Sequence, residues 1–186
     1  MLQKIIQGTV SNLRNTNVYE STKQNFNMKK LITLFILLFT IKVFAQNVEF
    51  EKENFKDNKD GLKEAKRNIE LGDKSFEQGS VFYRQALEPY LLANAFNPNN
   101  ALLNYKIGKS YLYSNYKLKS IPYLEKALQL NSGVDPQIHL VLGKAYHLDM
   151  QWDKAIEEFK FFEKTLTNLS EVKELLEDVA KHKEEC

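Results

Sequence analysis

The chain has 186 residues, with 26 Lys+Arg against 24 Asp+Glu, 43% hydrophobic and 27% charged residues, and a single cysteine. One cysteine builds no internal disulfide framework, and with only three histidines beside it there is little for a structural zinc site. A net charge of +2 is too small for a nucleic-acid binder, and 7 Gly with 4 Pro are too few for a turn-rich β-sandwich or a Gly-rich linker.

The charge is uneven along the chain. The first 45 residues hold six basic side chains and one acid, which leaves 20 basic and 23 acidic groups in the remainder, a net of −3. From Met28 the sequence runs Lys29-Lys30, an apolar stretch from Leu31 to Ile41, then Val43-Phe44-Ala45 before Gln46. A positive start, an apolar core and a small-residue cleavage site are the three parts of a secretory signal peptide, expected over 28–45 with cutting before Gln46. Lys42 ends the apolar run well short of the roughly 20 residues needed to span a bilayer. A signal peptide starts at its own Met-Lys-Lys, so translation is expected to begin at Met28. Residues 1–27, polar and without helical or strand period, are then either an upstream misreading of the start or a disordered extension. Gln46–Asp60 is polar and charged and reads as a loose lead-in.

Beyond it the sequence repeats itself. Ile107-Gly108-x-x-Tyr111 recurs 35 residues later as Leu142-Gly143-x-x-Tyr146, and Leu71-Gly72 is an earlier copy. Downstream lie Ala86-x-x-x-Tyr90-x-x-Ala93, Ser120-x-x-x-Leu124-x-x-Ala127 and Ala155-x-x-x-Phe159-x-x-Phe162, at steps of 34 and 35 residues. The glycines are expected to let the first helix of each pair approach the second, with Tyr90, Leu124 and Phe159 filling the space between. Asn97-Pro98-Asn99-Asn100 stops one helix and caps the next. Pro is tolerated only in a first helical turn, so Pro89 and Pro122 predict helix starts near Ala86 and Lys119. Helix pairs follow at about 61–95, 101–130 and 136–166, then a last helix at 170–184 with Val172, Leu175, Leu176 and Val179 on one apolar face.

This pattern resembles the tetratricopeptide repeat (TPR), and the resemblance implies an all-α helix-turn-helix solenoid. It implies repeats at about 61–100, 101–135 and 136–169 within a domain over 61–186, closed by a C-terminal capping helix. The usual Trp of each repeat is Asn104 or His139 here, and Trp152, at a hairpin turn, is expected to cover that turn. The stretches Phe96–Gly108 and Ile138–Leu148 are similar to the N-terminal TPR segment of Bacteroidetes envelope proteins of the OmpA family, in which PD40 repeats and a peptidoglycan-binding domain follow. Nothing in this sequence matches those later parts.

No Gly-rich phosphate loop, nucleophile elbow or His-Glu-x-x-His motif appears, so no enzyme is expected. No cofactor or metal is expected either. His139 and His147 stand two helical turns apart, too far to share a metal alone, and His182 with Cys186 makes only half a site. Glu157-Glu158 reads as a solvated face. The TPR resemblance implies a concave groove that takes a protein or peptide, lined by Tyr105, Lys109, Leu112, Tyr113, Leu140, Lys144, His147 and Leu148, with Phe76 contributing. Tyr105 and Leu140 stand where a carboxylate-clamping TPR domain would want lysine, which disfavours that partner class. The expected function is an exported protein-interaction scaffold in the periplasm or at the outer membrane, meeting the membrane only through envelope partners. The alternative is a structural spacer, or the N-terminal module of an OmpA-like protein anchored to peptidoglycan.

Overall fold

Seven α-helices and no strand make up residues 46–164 and 170–185, which the computed structural model describes. They are α1 (Lys59–Phe76), α2 (Tyr83–Phe96), α3 (Ala101–Leu112), α4 (Ser120–Leu130), α5 (Ile138–Leu148), α6 (Trp152–Glu163) and α7 (Ser170–Glu185). The expected signal peptide and residues 1–27 lie outside the described residues.

The helices pack in chain order as three hairpins, α1 on α2, α3 on α4 and α5 on α6, with α7 against α6. Each hairpin also meets the next, and α3 touches both α1 and α5, so the first helices of the pairs form a row. One device recurs in every hairpin. A Cβ added to Gly72, Gly108 or Gly143 would lie closer than 3.0 Å to the side chain of Tyr90, Leu124 or Phe159 respectively. The missing side chain lets the two backbones close on a large, fully buried residue of the opposite helix. Ala86, Ser120 and Ala155, four residues before those large side chains, are also fully buried.

The buried residues form two clusters that share α3. Leu103, Ile107 and Tyr111 pack with Leu62, Ala86, Tyr90 and Ala93, whereas Tyr105 and Leu112 join Leu142, Phe159, Phe162 and the inner face of α7. Val172 and Val179 are fully buried in the second cluster, and Leu175 and Leu176 pack against it. Burial of this kind contributes about 1.5–3 kcal/mol for each large apolar side chain and dominates over local helix preference.

Three expectations are corrected. Residues before α1 are not a loose lead-in. Val48 N–H donates to Asn99 O at 2.8 Å, Asn97 Nδ2 donates to Val48 O at 2.8 Å, and Ala101 N–H donates to Asn47 Oδ1 at 2.8 Å. Phe50 is buried and stacks with Phe55 and Phe96, so the segment lies as a strap over the Asn97–Asn100 turn. Pro89 falls inside α2 rather than in its first turn, because a 3₁₀ turn over Ser80–Phe82 starts the helix early. The carbonyl of Gln85, which Pro89 leaves without its usual donor, belongs to an exposed residue. Glu158 is not on a solvated face: its carboxylate is largely buried, 2.6 Å from Nδ1 of His139.

Candidate functional site

The row α1, α3, α5 carries the expected groove residues, and side-chain caps start the first two of these helices. Asn58 accepts from Gly61 N–H at 3.0 Å and starts α1, and Asn100 accepts from Leu103 N–H at 2.9 Å and starts α3. The side chains then divide into three groups.

Tyr113 and Leu148 are exposed, at 47% and 50%, and together with Leu112, Lys117, Lys144 and His147 they line an open cavity of about 390 Å³. It brings together five of the eight residues expected from sequence. Lys117, from the short 3₁₀ turn Lys117–Lys119 before α4, was not expected there, since it lies outside the first helix of its repeat.

Lys109 belongs to a neighbouring cluster. Its ammonium lies 5.6–5.9 Å from the ring centres of Tyr105, Phe76 and Tyr83, within cation–π range, and donates to Gln137 Oε1 at 3.0 Å. Burial pushes its pKa down, with Asp135 opposing and Lys144 adding to the fall. Phe76 stacks on Tyr83 at 4.4 Å, and Tyr83 meets Tyr113 edge-on at 5.4 Å. Tyr113 therefore joins this aromatic cluster to the cavity.

Tyr105, Leu112 and Leu140 are 2%, 6% and 8% exposed, and all three belong to the second core cluster. Leu112 shows only an edge to the cavity, while burial and a hydrogen bond to Asp135 push the Tyr105 hydroxyl far above its ordinary pKa. The expected role of Tyr105 and Leu140 as contact residues is corrected, because a first helix in this stack touches its neighbours on both sides and only a narrow strip of it reaches solvent.

Beside the cluster, Asp73 accepts from Tyr90 OH at 2.5 Å and from Lys106 Nζ at 2.6 Å, tying α1, α2 and α3 together. A larger hollow of about 750 Å³ lies along α1, lined by Lys52, Lys59, Lys63, Lys66 and Arg67 together with Asp60, Glu70 and Leu62, without an aromatic anchor. Among the described residues, no helix is long and apolar enough to cross a membrane. No protein-family model matches the chain, and no curated protein is detectably similar to it in sequence.

Proposed function

We propose that the chain is a TPR scaffold of about three repeats with a capping helix, exported to the cell envelope, where it binds a protein segment. Support for the repeat comes from the recurring crossing of Gly72, Gly108 and Gly143 against Tyr90, Leu124 and Phe159, at steps of 34–36 residues. Support for export comes from the signal-peptide pattern over 28–45.

One observation carries the binding role: the cavity between Tyr113 and Leu148 combines exposed apolar surface with two lysines, Lys117 and Lys144. An apolar side chain flanked by carboxylates on a partner segment fits such a hollow, the apolar group displacing water and the acids meeting the ammonium groups. The surface needs no catalytic group, and no reaction is part of the proposal.

A photo-crosslinking residue at position 113, used in envelope preparations, is expected to capture a defined partner that the same residue at Leu92, an exposed site on α2, does not. Leu148→Ala with Lys144→Glu is expected to abolish the capture. Equal capture from both positions, or none from 113, favours the second possibility, a structural spacer or envelope-anchored module. The burial of Tyr105 and Leu140 speaks for that alternative, since it commits part of the expected groove to packing.

A further inference from the structure

Two imidazoles and a carboxylate from distant parts of the chain converge beside Trp152. His147 stands in the last turn of α5, and Asp178 and His182 stand one turn apart on α7. Nε2 of His147 is 3.0 Å from Nδ1 of His182. Oxygens of Asp178 lie 3.8 Å from the first nitrogen and 3.7 Å from the second. In a tetrahedral zinc site, bonds of about 2.0–2.1 Å set neighbouring donors about 3.3–3.4 Å apart, and the observed separations fall on both sides of that value.

The chemistry of the set agrees with its spacing. Two ring nitrogens that face each other bring their lone pairs together unless a proton or a cation stands between them. The Trp152 ring flanks both imidazoles, 5.5 Å from His147 and 6.2 Å from His182, and shields one side from water. Two imidazoles with one carboxylate suit zinc and its first-row neighbours rather than calcium or magnesium, which take oxygen ligands.

We propose that His147, Asp178 and His182 bind a transition-metal ion of the zinc type, which ties α7 to α5 across the end of the helical stack. Three protein ligands leave one coordination position for water or for a side chain of a partner. The site does not depend on the groove taking a peptide, and its test uses the metal alone.

The chain is stripped with a chelator and titrated with Zn²⁺ by calorimetry, and with Co²⁺, whose visible absorption reports tetrahedral coordination. One equivalent is expected to bind and to raise the melting temperature. In His147→Gln, Asp178→Asn and His182→Gln the affinity is expected to fall by more than the about 10–100-fold that the loss of an outer-shell partner costs. His139→Gln, whose imidazole is engaged by Glu158, is expected to bind as the parent does. The variants change α5 and α7 separately, and helicity measured without metal identifies any that has lost its fold. Binding that survives His147→Gln in a folded variant, binding that requires Cys186 instead, or no saturable binding in the parent overturns the site.

Discussion

Gly143 on α5 lies against the ring of Phe159 on α6 so closely that a Cβ at position 143 would stand under 3.0 Å from ring carbons. Phe159 is fully buried, so its ring cannot yield toward solvent without leaving the core. In an exposed helix Gly→Ala adds up to about 1 kcal/mol of stability. Gly143→Ala is expected instead to cost about 1–3 kcal/mol, the usual penalty of overpacking, as a lower midpoint in urea. An unchanged or higher midpoint contradicts the contact.

Asn100 serves two structures at once. Its oxygen caps α3, and its Nδ2 donates to Val48 O at 3.1 Å and to a Glu49 carboxylate oxygen at 2.9 Å. Asn100→Ala is expected to lose about 1–2 kcal/mol for the cap and about 1 kcal/mol more for the strap. Asn100→Asp keeps the cap acceptor but sets a carboxylate against the Val48 carbonyl and the Glu49 carboxylate at a buried position, so its loss should equal or exceed that of Asn100→Ala. Hydrogen exchange at the Val48 amide, bonded to Asn99 O, checks the strap and should quicken in both variants.

Burial raises the Glu158 pKa, and the bond from His139 opposes this without cancelling it. The folded chain thus holds this proton more tightly than the unfolded chain. Glu158 therefore withdraws stability as pH climbs from the ordinary carboxylate value through its raised one. Glu158→Gln keeps an acceptor for His139 and removes the withdrawal. Its stability relative to the parent is expected to increase as pH rises above the ordinary carboxylate value of about 4.3, followed by urea unfolding across that rise. A difference that is flat or falls with pH contradicts the assignment.

Tyr105 and Tyr113, one on each side of the division between core and groove, should respond oppositely to truncation. Tyr105→Ala is expected to cost about 3–5 kcal/mol, as a buried aromatic does. Tyr113→Ala should lose no more than about the 0.5–1.5 kcal/mol of an aromatic pair, here with Tyr83, yet lose partner capture by a photo-crosslinking residue placed at position 117 of the same cavity. Equal destabilisation by the two would remove the distinction between them.

The helix pairs were legible because Gly72, Gly108 and Gly143 and their large partners recur along the chain, and a backbone crossing leaves that local trace. The apolar face of α7 was legible for the same reason, since Val172 and Val179 obey helical spacing. The strap was not, because its bonds run from Asn97 and Asn100 to a segment about fifty residues earlier and rest on backbone groups that carry no composition signal. Tyr105 and Leu140 misled because a repeat pattern tells which helix a residue is on, but not how far its neighbours close over it. Asp178 and His182 stand one turn apart in the sequence, but only the docking of α7 brings them to His147, 35 residues before His182.

The division of α3 between two cores sets how the chain would carry a load. Leu103, Ile107 and Tyr111 hold it to one half, and Tyr105 and Leu112 hold it to the other. Under tension between its ends, such a stack yields pair by pair from the outside, because each pair grips only its neighbours. Peeling from both ends at once reaches the α3–α4 pair last, and the helix shared by both cores becomes the point at which an extending molecule stalls and from which it rewinds.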